Sequence, residues 1–133
     1  MLTFFTVVVA AVVGLGLLML ALNLTVMWRM MKQRGQPVPE LPGDWGSRLR
    51  SARQSLLYFF SPGCAACVRL TPKMKDLRSH NLDVHLVDVT REYPVARAFR
   101  VLATPSTVEI RVGRIVDVHV GLVPPDVLAR YAA

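Results

Sequence analysis

Ser61-Pro62-Gly63-Cys64-Ala65-Ala66-Cys67-Val68-Arg69-Leu70-Thr71-Pro72 decides how this 133-residue chain is read, because it holds both of its cysteines. They stand in a Cys-x-x-Cys spacing directly after the apolar run Leu56-Leu57-Tyr58-Phe59-Phe60, which predicts a buried strand. Beyond them, Arg69, Lys73, Lys75 and Asp76 interleave with Val68, Leu70, Met74 and Leu77, the pattern of a helix from Cys64 to about Arg78, kinked at Pro72. Two thiols at a strand-to-helix junction point to redox chemistry. A two-residue gap on the first helical turn brings the sulfurs within bonding reach. The positive end of the helix favours a thiolate. The thiolate is the form that attacks a disulfide, and in Cys-x-x-Cys motifs its pKa falls from ~8.5 to as low as ~3.5.

Working outward, a second apolar run, Val84 to Val89, predicts a strand suited to a central position in a sheet. Pro94 opens a short helix through Phe99, since proline favours the first helical turn. The runs 106–112 and 115–120 alternate around Gly113 and read as a hairpin, and Pro125 to Tyr131 reads as a closing helix. The order β-α-β-α-β-β-α predicts an α/β domain. A parallel crossover unit and an antiparallel hairpin would share one mixed sheet with helices on both faces.

Upstream of this domain the composition changes. The chain is 53% hydrophobic with a mean hydropathy of +0.39, and its N-terminus accounts for both. No charged side chain occurs from Leu2 to Trp28. That length covers the ~20 residues a helix needs to cross a bilayer, with Trp28 and Arg29 at the interface. A cleavable signal peptide fits poorly, because no basic residue precedes the run and the run is too long. The expectation is one permanent transmembrane helix in a basic-flanked anchor, residues 1–33. A Pro/Gly linker and a short basic helix would follow over 34–54, and the soluble domain over 55–133. In the linker, Pro37, Pro39 and Pro42 favour an extended spacer. Trp45 could pack on the domain or lie at the bilayer.

Charge bounds the partners. The formal net charge is +7, and Arg29, Lys32, Arg34, Arg48, Arg50 and Arg53 face only Glu40 and Asp44 just after the apolar run. Beside a span, such a cluster reads as a lipid-bilayer contact rather than a nucleic-acid one. Its position predicts a single-pass membrane protein with the domain in the cytoplasm by the positive-inside rule, a periplasmic domain being the alternative.

The motifs of residues 55–131 resemble the thioredoxin superfamily. The resemblance is carried by the strand entering Cys64-Ala65-Ala66-Cys67, by Pro72 five residues on, and by Ala103-Thr104-Pro105-Ser106 ahead of the hairpin. Gly113 in the turn and Gly121 after the last strand complete it. The resemblance implies a cis Thr104–Pro105 bond lying against the cysteines, with the backbone there pairing to a substrate peptide. It implies Cys64 as nucleophile and Cys67 as the resolving thiol, with no cofactor beyond the Cys64–Cys67 disulfide. The implied partners are protein disulfide or dithiol substrates and an electron donor such as thioredoxin reductase or a membrane reductant carrier.

Some positions depart from the family pattern and are candidate modulators. Gly63 stands where thioredoxins carry tryptophan, Ala65-Ala66 replaces Gly-Pro, and Tyr58 and Leu86 replace a buried aspartate and its lysine partner. Arg69 could add positive potential. The layout of one span, a linker and this domain looks like the membrane-tethered thioredoxin-like proteins of the bacterial inner membrane, some of which serve cytochrome or dehydrogenase maturation. With the acid missing, such an assembly or maturation module, using the fold mainly to bind, is the alternative function. Copper handling is a third reading, from ligand softness. Structural zinc needs four ligands, and His80 (in a loop), His85 and His119 (on strands) do not space as ligands beside the cysteines, so no metal site is assigned. Asp88, Glu109 and Asp117 read as exposed strand carboxylates with no acid-base role.

Overall fold

The computed structural model describes residues 1–132. Helix α1 (Leu2–Met31) is followed by α2 (Trp45–Ser51), β1 (Gln54–Phe60), α3 (Ala65–His80), β2 (Val84–Asp88), α4 (Tyr93–Ala98), β3 (Ser106–Arg111), β4 (Arg114–Val120) and α5 (Pro125–Ala132). The element order of the domain is therefore the one its sequence predicts.

Strand β1 sits centrally because its residues are apolar on both faces, and all five from Ser55 to Phe59 are buried. It pairs parallel with β2, Leu57 opposite His85, and antiparallel with β3, Tyr58 opposite Thr107. The sheet order is β2-β1-β3-β4. One face packs Leu56, Tyr58 and Val84 against Leu70 and Met74 of α3 and Val127 and Tyr131 of α5. The other packs Leu57, Phe59, Val87, Val108 and Ile110 against Val95 and Phe99 near α4. The hairpin closes through Val112 and Gly113, whose φ values of 49° and 70° follow the type I′ pattern that suits strand twist.

Strand β2 lies at the sheet edge rather than centrally. Its apolar pattern comes from burial on both faces, which does not require a neighbour on both sides. The α2 segment lies against it, with the Trp45 ring edge-on to His85 at 5.6 Å. Trp45 thus packs on the domain. Helix α3 runs through Pro72 and ends at His80, which belongs to the helix and not to a loop.

The segment read as a spacer is docked. Val38 is buried in the same core as Leu57 and Phe59, its N–H donates to Gly113 O (2.9 Å), and Pro37 bridges antiparallel to Arg114. Three prolines hold it extended, and an extended strip can lie along the free edge of β4. The end of α1 joins the core too. Met30 is fully buried, Val26 packs beside it, and Arg34 pairs with Asp117. Residues 2–25 remain outside the core, about 36 Å of helix at ~1.5 Å per residue, enough for a ~30 Å hydrocarbon layer. Within that stretch the polar side chains of Asn23 and Thr25 bond back to the carbonyls of Met19 and Ala21 (3.0 and 2.7 Å).

Candidate active site

Strand β1 delivers the chain to Ser61, a short turn follows, and Cys64 becomes the N-cap of α3 in extended conformation (φ −85°, ψ 111°). An N-cap side chain faces helix N–H groups that have no partner within the helix. Cys64 Sγ accepts the Cys67 N–H at 3.2 Å. The two sulfurs form a disulfide, with Cα atoms 5.2 Å apart. Cys67, one turn into α3 beside Leu70, is 2% exposed, whereas Cys64 is only half-buried. The geometry therefore presents one sulfur to solvent and keeps the other inside.

The loop before β3 supplies the opposite wall. The Thr104–Pro105 peptide is cis, and the Thr104 carbonyl oxygen lies 3.5 Å from Cys64 Sγ. Thr104 Oγ1 is 3.4 Å from Ser61 Oγ, so the two loops touch directly. The Thr104 N–H has no hydrogen-bond acceptor among the described residues. Pro105 is buried and its carbonyl accepts the Gly121 N–H at 2.8 Å. Gly121 has a φ of +89°, a turn conformation that favours glycine, and it sets the exposed Leu122 next to the proline loop. Leu102, also exposed, flanks the same loop, and Val68 stands exposed beside Cys67. Ser61, Leu102 and Leu122 were not singled out in the sequence. Their only signal there is adjacency to the two motifs.

The remaining candidates separate. Ala65 and Ala66 are exposed on the first turn of α3, within the disulfide loop. Gly63 is exposed, and a Cβ added there would meet no described atom within 4 Å. Arg69 is exposed on α3 and has no ion-pair partner among the described residues. Tyr58 is fully buried, and its hydroxyl is 3.0 Å from Thr71 Oγ1, one helical turn beyond Cys67. Burial pushes the Tyr58 phenol above its ordinary range, so the position stays neutral. Leu86 packs in the same cluster.

Glu109 corrects the expectation of an exposed carboxylate. It is 1% exposed, on the α5 face of the sheet opposite Leu56. Arg130 Nη2 donates to both its oxygens (3.0 and 3.1 Å), and His119 Nε2 lies 3.2 Å away. A buried carboxylate requires such partners. Asp117, expected exposed as well, is half-buried and pairs with Arg34. Glu109, Asp117 and His119 bring their ligand atoms within 4.8 Å of one another, but the carboxylate of Glu109 is already taken up by Arg130. The network stands at β3, β4 and α5, and among the described residues it shares no hydrogen bond or ion pair with the cysteines.

Residues 38–133 match the family model described as Thioredoxin. The chain is 30% identical over 92 residues to Thioredoxin H3 of Arabidopsis thaliana, covering 65% of this chain and 78% of that protein. It resembles the solved structure of the reduced Schistosoma mansoni thioredoxin pre-protein, with 26% identity and a TM-score of 0.57 over 67% of this chain and 88% of that one. Fasciola hepatica thioredoxin is likewise 26% identical, with a TM-score of 0.53 over 63% and 86% of the two chains. The matched region begins at Val38, inside the segment that docks on β4.

Proposed function

The chain belongs to the thioredoxin family and carries its Cys-x-x-Cys pair as a disulfide, and on that premise we propose a membrane-tethered thiol–disulfide oxidoreductase acting on protein disulfides. The observation that carries the reading is Cys64 at the mouth of α3, accepting an amide N–H, with Cys67 buried behind it and the Thr104–Pro105 loop across from it.

In the reducing direction the Cys64 thiolate attacks one sulfur of a client disulfide. A Cys64–client S–S bond forms, and the other client sulfur leaves as a thiolate and takes up a proton. Cys67, losing its proton, then attacks Cys64 Sγ. The second client sulfur leaves, and the Cys64–Cys67 disulfide holds the two electrons' worth of oxidation. Thr104, whose N–H has no acceptor among the described residues, and Pro105 would hold the client backbone in an extended pose, with Leu102 and Leu122 as its apolar rim. No carboxylate stands at Tyr58 to take the Cys67 proton, so water reaching the rim or the client's own thiolate does that work. Regeneration requires a dithiol donor, thioredoxin reductase or a membrane reductant carrier according to the side of the membrane.

In this reading helix α1 is the anchor, and the Lys/Arg flank favours a cytoplasmic domain by the positive-inside rule, a periplasmic one being the alternative. A fused reporter active only in an oxidising compartment should stay silent on the cytoplasmic side. The second reading, a binding module for maturation of other proteins, is favoured by one observation, the neutral Tyr58–Thr71 pair in place of an acid. Both are tested by Cys67→Ser in membranes. The variant should accumulate client mixed disulfides that reductant releases. A variant that captures none, with a wild-type protein that fails to reduce insulin, leaves only the binding module.

A further inference from the structure

Between the end of α1 and α4 lies a cleft of about 1220 Å³ that meets the proline loop at Leu102 and Thr104 but is lined by neither cysteine. One wall is Trp28, Arg29, Lys32 and Gln33, and the other is Arg97, Arg100 and the loop reaching Thr104. Four cations line it and, among the described residues, no carboxylate does. None of the four makes an ion pair among the described residues, the commoner state of the lysines and arginines here, since only Arg34, Arg48, Arg91 and Arg130 are paired. Lys32 Nζ is held 4.9 Å from the Trp28 ring centroid, at the cleft edge. Gln33 is 8% exposed, and its Nε2 is buried without a hydrogen-bond partner among the described residues. A buried amide donor without an acceptor is costly. The same cleft thus joins four cations to an orphaned donor.

Position identifies the anion. Trp28 is the last residue before the first charge of the chain, so the cleft opens where α1 leaves the hydrocarbon. What lies at that level is the phosphate of a lipid headgroup, and basic pockets beside membrane helices take acidic headgroups. We propose that this cleft binds the phosphodiester headgroup of an anionic phospholipid, with Arg97 and Arg100 of the soluble domain and Arg29 and Lys32 of α1 as cations and Gln33 Nε2 as donor. The inference rests on α1 being a membrane anchor. The headgroup would bridge helix and domain beside the proline loop.

The test uses the full chain in neutral detergent micelles, examined by native mass spectrometry with phosphatidylglycerol, phosphatidylcholine or inorganic phosphate added. Phosphatidylglycerol should be retained over phosphatidylcholine, and inorganic phosphate should not displace it. Arg97→Ala with Arg100→Ala should cut retention roughly 30-fold, at about fivefold per arginine near a membrane surface. Gln33→Leu should also weaken it, while Arg69→Ala, outside the cleft, should leave it unchanged. Equal retention of the two lipids, displacement by phosphate, or unaltered binding in both the arginine and the Gln33 variants would overturn the proposal. Carbonate extraction of membranes separates the premise. Release of the chain by carbonate removes the anchor, whereas a chain that stays embedded yet shows no lipid preference refutes the cleft alone.

Discussion

Reducing the disulfide leaves Cys64 Sγ at the N-cap of α3, where its reactivity can be worked out. The sulfur accepts the Cys67 N–H at 3.2 Å, and a hydrogen bond to a charged group contributes roughly 1.5–3 kcal/mol. The helix end adds ~0.3–1 kcal/mol at a partly exposed site. The Thr104 carbonyl oxygen, 3.5 Å away, presents its negative end to the thiolate and opposes it by roughly 1 kcal/mol, the size of a neutral hydrogen bond. The net favours the thiolate by about 2 kcal/mol, so the pH of half-maximal Cys64 alkylation should fall below that of free cysteine. Its plateau rate should drop as well, because nucleophilicity declines with basicity. The assay is a pH series of iodoacetamide pulses on the reduced full chain in micelles, read by mass spectrometry of the Cys64 peptide, with the unfolded chain as reference. A midpoint unchanged on folding would refute the reasoning. So would a lower midpoint at Cys67, which is 2% exposed and should label slowly at every pH.

Two further outcomes follow from buried side chains. Tyr58→Phe removes the hydroxyl bonded to Thr71 and should cost about 1 kcal/mol in stability, with the rate of insulin reduction unchanged. A tenfold loss of rate at wild-type stability would show that the phenol moves protons after all. His85 is held neutral, its pKa lowered from 6.5 to about 4 by burial and then by Arg78 and Arg48. The unfolded chain therefore takes up this proton before the folded one does. Stability is whole above pH 6.5 and declines as pH falls toward 4, by at most about 3 kcal/mol. His85→Phe should flatten that part of the pH profile in denaturant titrations, and an unaltered slope would exclude His85 as its source.

Much of this protein was legible in one dimension because the signals are local. Periodicity and the placement of Pro94 and Gly113 depend on neighbours a few residues apart, and they determined the element order. The Cys64–Cys67 spacing located one wall of the site in the same way, whereas the Thr104–Pro105 wall was implied by the resemblance to the thioredoxin superfamily. The charge-free run from Leu2 to Trp28 determined a helix long enough to span. What those signals cannot hold is contact between segments distant along the chain. The three prolines of residues 35–43 read as a spacer, because nothing local tells an extended strip in water from one lying along β4. Glu109 read as exposed, because its alternation matches a solvated strand until Arg130, 21 residues later, folds over it. The edge position of β2, the packing of Trp45 on His85, and the meeting of Arg29 with Arg97 across one cleft were likewise decided only in three dimensions. Local chemistry names the elements and the sulfurs. Burial, and with it the environment of each charge, is set by the whole chain folded.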